Sequence, residues 1–189
     1  EFPAASLAID TDHAALFASG WGGRDTRPCK PVQFPSVWTS PLAEYVGYLV
    51  GDGCVREASG PRGASTVSVV FGNRAGAEEL CPRFRALFNE WGVEDLQEVA
   101  MPNGTVQLRV NRKPVVRFFK QIGVSATKAP EKVVPDALFK APKHIIAGFL
   151  RGLFTADGCV YDGKKSRYVG LGSVSKQLLL ETQQLLSVF

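Results

Sequence analysis

The chain has 189 residues, 45% apolar and 21% charged, a composition that folds rather than staying disordered, and of a length for one domain or two small halves. No apolar run nears the roughly 20 residues of a membrane span, and no basic-then-apolar leader opens it. The net charge of +4 hides an asymmetry: residues 1–100 carry −5 and residues 101–189 carry +9, the segregation that a phosphate-facing surface needs. Four scattered cysteines (Cys29, Cys54, Cys81, Cys159) form no C-x-x-C pair, which excludes a zinc knuckle or disulfide scaffold and leads us to expect a reduced, cytoplasmic chain.

Residues 1–40 lack periodicity, are rich in Gly and Pro, and read as a connecting arm with one short strand around residues 32–34. A helix then opens at Ser40 as N-cap with Pro41 at its first position, carries Leu42, Tyr45, Val46, Leu49 and Val50 on one face, and stops at Asp52-Gly53. Residues 65–71 alternate as a strand, and a helix follows to Trp91 with Pro82 near its start or kinking it. Residues 96–101 and 105–110 flank Pro102-Asn103-Gly104 as a hairpin. A short helix over 114–122 stops at Gly123, and prolines keep 124–141 largely extended. A second long helix opens at Pro142 and ends at Asp157-Gly158. Residues 168–174 read as a strand, and residues 176–189 as a helix.

The strongest signal is a repeat. Gly47-x-x-x-Gly51-Asp52-Gly53-Cys54-Val55 recurs as Gly152-x-x-x-Ala156-Asp157-Gly158-Cys159-Val160 at a constant offset of 105 residues. Each helix carries small residues at i, i+4 and i+8: Ala43, Gly47, Gly51 in one and Gly148, Gly152, Ala156 in the other. A glycine inside a helix costs about 1 kcal/mol relative to alanine, so repeating it at equivalent places needs a reason. Close approach of two helix backbones supplies one. Facing stripes would relate the halves by a pseudo-two-fold axis and bring Asp52 and Asp157 together at two negative helix C-termini. That arrangement suits a hard cation such as Mg²⁺ or Mn²⁺, and a polyanion with bridging phosphates would complete it.

These residues resemble the paired signature helices of LAGLIDADG homing endonucleases: Tyr45-Val-Gly-Tyr-Leu-Val-Gly-Asp-Gly53 and Leu150-Arg-Gly-Leu-Phe-Thr-Ala-Asp-Gly158. The stretch from Lys132-Val-Val-Pro135 through Lys140-Ala-Pro-Lys-His-Ile-Ile-Ala-Gly is similar to the version carried by inteins, and the likeness spans residues 31–189. It implies an α+β fold of αββαββα repeats with antiparallel saddle sheets, acting as a site-specific double-strand DNA endonuclease on a target of about two turns. It further implies metal binding at Asp52 and Asp157, with minor contacts from the Gly51 and Ala156 carbonyls. A basic residue beside the metals is implied as well; Lys132 matches best and Lys128 is the runner-up. DNA contacts would come from Arg56, Arg62, Ser68, Gln107, Arg109 and Asn111 in the first half and Lys164, Lys165, Arg167 and Tyr168 in the second. Arg112 and Lys113 would meet phosphate.

The expected organisation is an arm (1–40), a first half-domain with its connector (41–140), and a second half-domain (141–189) lacking the equivalent of the 96–110 strand pair. Aligning Trp91 with Phe189 gives an offset of 98, so the loop after the second motif is 7 residues shorter than its counterpart. A monomer with pseudo-two-fold symmetry follows, or a dimer if the missing part comes from another chain. The host precursor would be the partner of an intein, yet the splicing groups of an intein are not at Glu1 or Phe189. The alternative reading is a non-cleaving nucleic-acid binder on the same scaffold, such as a regulator or an RNA-maturase-like protein.

Overall fold

A computed structural model describes residues 6–17, 32–58, 64–125, 127–164 and 166–189. Arg62, Lys165, Cys29 and much of the arm lie outside these residues. In chain order the elements are α1 (His13–Phe17), α2 (Ser40–Asp52), β1 (Gly53–Arg56), β2 (Thr66–Phe71), α3 (Arg74–Glu90), β3 (Gln97–Ala100), β4 (Val106–Val110), α4 (Lys113–Gln121), α5 (Lys143–Asp157), β5 (Gly158–Asp162), β6 (Arg167–Leu171) and α6 (Lys176–Leu186). Among the described residues two antiparallel sheets form, one of order β1-β2-β4-β3 and one of β5 and β6.

Helix α2 is buried on every side from Leu42 to Gly51. Its large side chains fill the core: Tyr45 packs edge-on against Phe84 and Phe88, and Tyr48 lies against Phe71. Its small side faces α5. The N-cap is Thr39 rather than Ser40. Thr39 Oγ1 accepts from Leu42 N at 3.3 Å, while Ser40 becomes the first helical residue and abuts Gly148, whose Cβ, if present, would lie 2.7 Å from the Ser40 carbonyl oxygen.

The first sheet is two-faced. Val55, Val67, Val69, Phe71, Val106, Leu108 and Val110 point inward against α3 and α4 and are buried. The opposite face carries Cys54, Arg56, Thr66, Ser68, Val70, Gln107 and Arg109, as the period of two requires. At the β3–β4 turn Asn103 Oδ1 accepts from Thr105 N and Oγ1, and Gly104 takes a positive φ of 86°.

Three expectations are corrected. Residues 32–34 form no strand; instead Val37 makes an isolated bridge to Ala8, and Phe34 stacks on Phe118 at 4.7 Å. The described arm is therefore anchored, with Leu16 and Trp38 buried beside Phe34, because its few apolar residues dock on α4 and the core. Pro82 sits in the middle of α3 rather than near its start; it stays exposed while Ala77, Leu80, Cys81, Phe84, Leu87 and Phe88 hold that helix to the core. The connector is not simply extended: 3₁₀ turns form over Ala129–Glu131 and Asp136–Lys140.

Candidate functional site

The two helices meet backbone to backbone. A Cβ on Gly47 would strike the Phe149 carbonyl oxygen and lie 2.8 Å from Leu153 N; a Cβ on Gly152 would strike the Glu44 carbonyl oxygen and lie 2.8 Å from Tyr48 N. The contact is reciprocal, each glycine admitting the main chain of the other helix, as a two-fold relation between the copies requires. Ala43, fully buried, continues the stripe.

At the C-terminal end of this pair Asp52 and Asp157 are the last helical residues. Neither Gly53 (φ −120°) nor Gly158 (φ −81°) adopts a positive φ. Glycine is needed there because the strand turns straight back over the last helical turn: a Cβ on Gly53 would strike the Leu49 carbonyl oxygen, and one on Gly158 the Phe154 carbonyl oxygen. Each Asp-Gly pair is thus a helix-to-strand joint that leaves the carboxylate at the helix end.

Gly51 brings the carboxylates into one site. Its missing Cβ would lie 2.5 Å from Ala156 Cβ and 3.2 Å from Asp157 Oδ2, so the Asp157 carboxylate rests on the peptide next to Asp52. Burial, then the Asp157 charge, pushes the Asp52 carboxyl above its ordinary range, and burial pushes Asp157 up; Lys132 pulls both back. The Lys132 ammonium donates to the Gly51 carbonyl. Tyr48, whose hydroxyl donates to Val70 O at 3.1 Å, is raised by burial and then by the Asp52 charge.

Sequence reasoning missed what holds Lys132. Ser175, fully buried, donates its hydroxyl to the Lys132 carbonyl at 2.7 Å and caps α6 by accepting from Leu178 N at 3.1 Å. Glu181 Oε2 accepts from Val134 N at 2.7 Å. Helix α6 thereby clamps the connector on both sides of Val133. The N-cap pattern Ser175-x-x-Leu178 was readable; its second partner, 43 residues away, was not. Lys128 caps the first 3₁₀ turn and is exposed.

Asp52 and Asp157 offer carboxylate oxygens side by side with one ammonium next to them, donors of the kind a hard divalent cation takes. Among the described residues no cluster of three His, Cys, Asp or Glu side chains suits a metal, so further ligands must come from backbone, water or a phosphate.

On the outer face of the first sheet, Arg109 donates to Gln97 at 3.1 Å, Gln107 to Ser68 at 3.2 Å, and Thr66 to Asn111 at 2.8 Å. Arg56 is exposed on the same face. Other candidates lie elsewhere. Arg112 is the N-cap residue of α4, pairs with Asp95 at 2.9 Å, and keeps only 13% of its side chain exposed, with Nη1 buried and unbonded. Lys113 begins α4. Arg167 pairs with Asp162 at 2.6 Å, and register puts that pair on the Val160–Val169 face of the second hairpin, opposite Tyr168. Lys164 lies in the turn between β5 and β6. Among the described residues no helix is long and apolar enough to cross a membrane.

Comparisons with known proteins agree with this geometry. Residues 144–189 match the family model described as a LAGLIDADG-like domain. The chain is 28% identical over 161 residues to the glutamine–fructose-6-phosphate aminotransferase (isomerizing) of Methanocaldococcus jannaschii, covering 84% of this chain and 14% of that protein. It is 26% identical over 199 residues to the replicative DNA helicase DnaB of Rhodothermus marinus, covering 96% of this chain and 20% of that protein. The chain therefore spans a fifth or less of these curated relatives. Among solved structures it is similar to I-DmoI in complex with DNA and Ca, at TM-score 0.60 and 19% identity over 79% of this chain and 72% of that one. It is also similar to the homing endonuclease I-WcaI bound to its DNA recognition sequence, at TM-score 0.52 and 15% identity over 94% and 78%. The resemblance first read in two glycine-lined motifs thus holds for the three-dimensional structure: residues 144–189 match a LAGLIDADG-like domain, and the chain has the fold of the homing endonucleases I-DmoI and I-WcaI.

Proposed function

We propose that this chain is the site-specific double-strand DNA endonuclease domain of an intein, hydrolysing phosphodiester bonds with Mg²⁺ or Mn²⁺ held at Asp52 and Asp157. The observation that carries the proposal is the juxtaposition of two half-buried carboxylates with the Lys132 ammonium at the joint C-terminal end of two helices. Like charges in a partly desolvated place are costly unless a cation shares them.

A divalent ion bound there would supply positive charge against the negative charge developing on a phosphodiester in its transition state. The chain's own residues do the rest. Asp52 and Asp157 hold the ion, with the Gly51 and Ala156 carbonyls as further donors. Lys132 adds a fixed ammonium to a site otherwise dominated by acids, where it stabilises negative charge on the phosphate or polarises the attacking water. Ser175 and Glu181 hold the connector that carries it. Arg56, Gln107 and Arg109 form a polar sheet face suited to base edges in a major groove.

The intein setting is supported by the relatives. An aminotransferase and a helicase share no chemistry, yet each contains a stretch similar to most of this chain. A segment common to two unrelated proteins is most simply an insert in both. The test is to incubate the purified chain with Mg²⁺ or Mn²⁺ and a plasmid bearing the uninterrupted host sequence. Double-strand cleavage is expected, lost in Asp52→Asn and in Asp157→Asn, and slowed at least ~10²-fold in Lys132→Met. Metal-independent binding without cleavage would favour the non-cleaving alternative.

A further inference from the structure

The two hairpins offer different chemistry at matching register positions. In the first, Arg56 opposes Thr66; in the second, Tyr161 opposes Tyr168. The offset of 105 residues carries Arg56 onto Tyr161, just as it carries Cys54 onto Cys159. Alternation along a strand then puts Cys159, Tyr161, Tyr168 and Gly170 on one face, equivalent to the polar face of the first sheet, and Val160 and Val169 on the other.

The tyrosines form a built platform. Their rings stack at 5.1 Å with planes 22° apart, and each side chain is about half exposed. A glycine makes room for Tyr161: a Cβ on Gly163 would lie 2.6 Å from its Cε1 and Oη, while one on Gly170 would sit 3.7 Å from Cε2 of Tyr168, in ordinary contact. Within β5 and β6 this face bears no charged side chain, because Arg167 and Asp162 pair on the other side.

Accepting that the sheet faces bind duplex DNA as proposed above, we infer that the Tyr161–Tyr168 pair is a specificity-determining element of the second half-site, selecting thymine by contact of its rings with the C5-methyl group. In a duplex the base faces are stacked on each other, and the apolar group displayed in the major groove is that methyl. Two stacked rings with no cation between them cannot supply the bidentate donors that read guanine, whereas Arg56 and Arg109 in the first half can. The two halves therefore read different chemistry: hydrogen-bonding edges in one, methyl groups in the other. Lys164, in the turn beyond the rings, is placed for phosphate.

The experiment starts from a pool of duplexes with a randomised central segment, from which the full chain selects binders. In an enriched duplex each thymine is replaced singly by uracil, which removes only the methyl. One or two replacements, clustered in a single half, are expected to weaken wild-type binding about 3–10-fold. Tyr161→Ala/Tyr168→Ala should lose that sensitivity while keeping its preferences in the other half, and Tyr161→Phe/Tyr168→Phe, which keeps both rings, should retain it. The inference is overturned if uracil is tolerated everywhere by the wild type, if the alanine pair keeps the methyl preference, or if the wild type prefers single-stranded oligonucleotides through these rings. A pool that yields no enriched duplex overturns the DNA-binding reading itself, and this inference with it.

Discussion

The hairpins β1–β2 and β5–β6 share a register and a Cys-Val start, but their inner faces differ. Val55 and Val67 are 6% and 0% exposed, whereas Val160 and Val169, at the corresponding cross-strand positions, are 79% and 64% exposed. The first hairpin is covered by α4 and extended by β4 and β3; among the described residues the second has neither helix nor strand in those places. Burial is thus not a property of the hairpin's own sequence. It is conferred by what packs on it, so one motif pattern yields a core in one half and an open apolar surface in the other.

The comparison breaks most severely where the halves join. Gly47→Leu or Gly152→Leu drives a side chain into main-chain atoms and is expected to cost at least 4 kcal/mol or abolish folding, whereas Gly72→Ala, with nothing within 4 Å, should change little; urea denaturation reads both. Next comes the inner face itself. Val67→Ala should cost about 2 kcal/mol, and Val169→Ala no more than about 0.5, in the same assay. Equal losses at the two positions would mean that the open face is covered in solution.

The third test concerns the shared site. Because the folded chain holds the Asp52 and Asp157 protons more tightly than the unfolded chain does, their contribution to stability is present at low pH and lost as pH rises through their raised values. In EDTA, the Tm of Asp52→Asn and of Asp157→Asn should therefore exceed that of the wild type at neutral pH, with the difference vanishing below the ordinary carboxylate range. Added Mg²⁺ should reverse the order. Glu57 behaves oppositely: hydrogen bonding from Lys120, and after it Arg117, lowers its value, so its contribution appears above the ordinary range and fades in acid. A modest loss is expected for Glu57→Gln, about 0.5–1 kcal/mol for a partly exposed pair, measured by thermal melting at pH 7.

Much of the frame was legible before any coordinates. The repeat at 105 residues and the small-residue stripes imply two facing helices, because only backbone contact explains glycine in those places. The β3–β4 hairpin and the stop at Gly123, with φ of 95°, follow from local turn chemistry. What sequence could not give were contacts between distant residues. Thr39 rather than Ser40 caps α2 because Ser40 is pressed against Gly148. Ser175 and Glu181 reach the connector across more than 40 residues. Nor does a local pattern show that register sets Arg167 beside Asp162, on the face of the hairpin away from Tyr168. An arm without periodicity still buries Leu16 and Phe34, since a few anchors suffice where a surface is already formed.

The joint between the halves is made by peptide groups, which every sequence possesses. Outer surfaces can diverge, as Tyr161 and Tyr168 standing where the first half has Arg56 and Thr66 illustrate, without disturbing how one copy seats on the other. Only a handful of positions must stay small for the seat to survive. A half borrowed from a different relative would therefore dock if it kept those positions, making this scaffold suited to recombining one recognition surface with another.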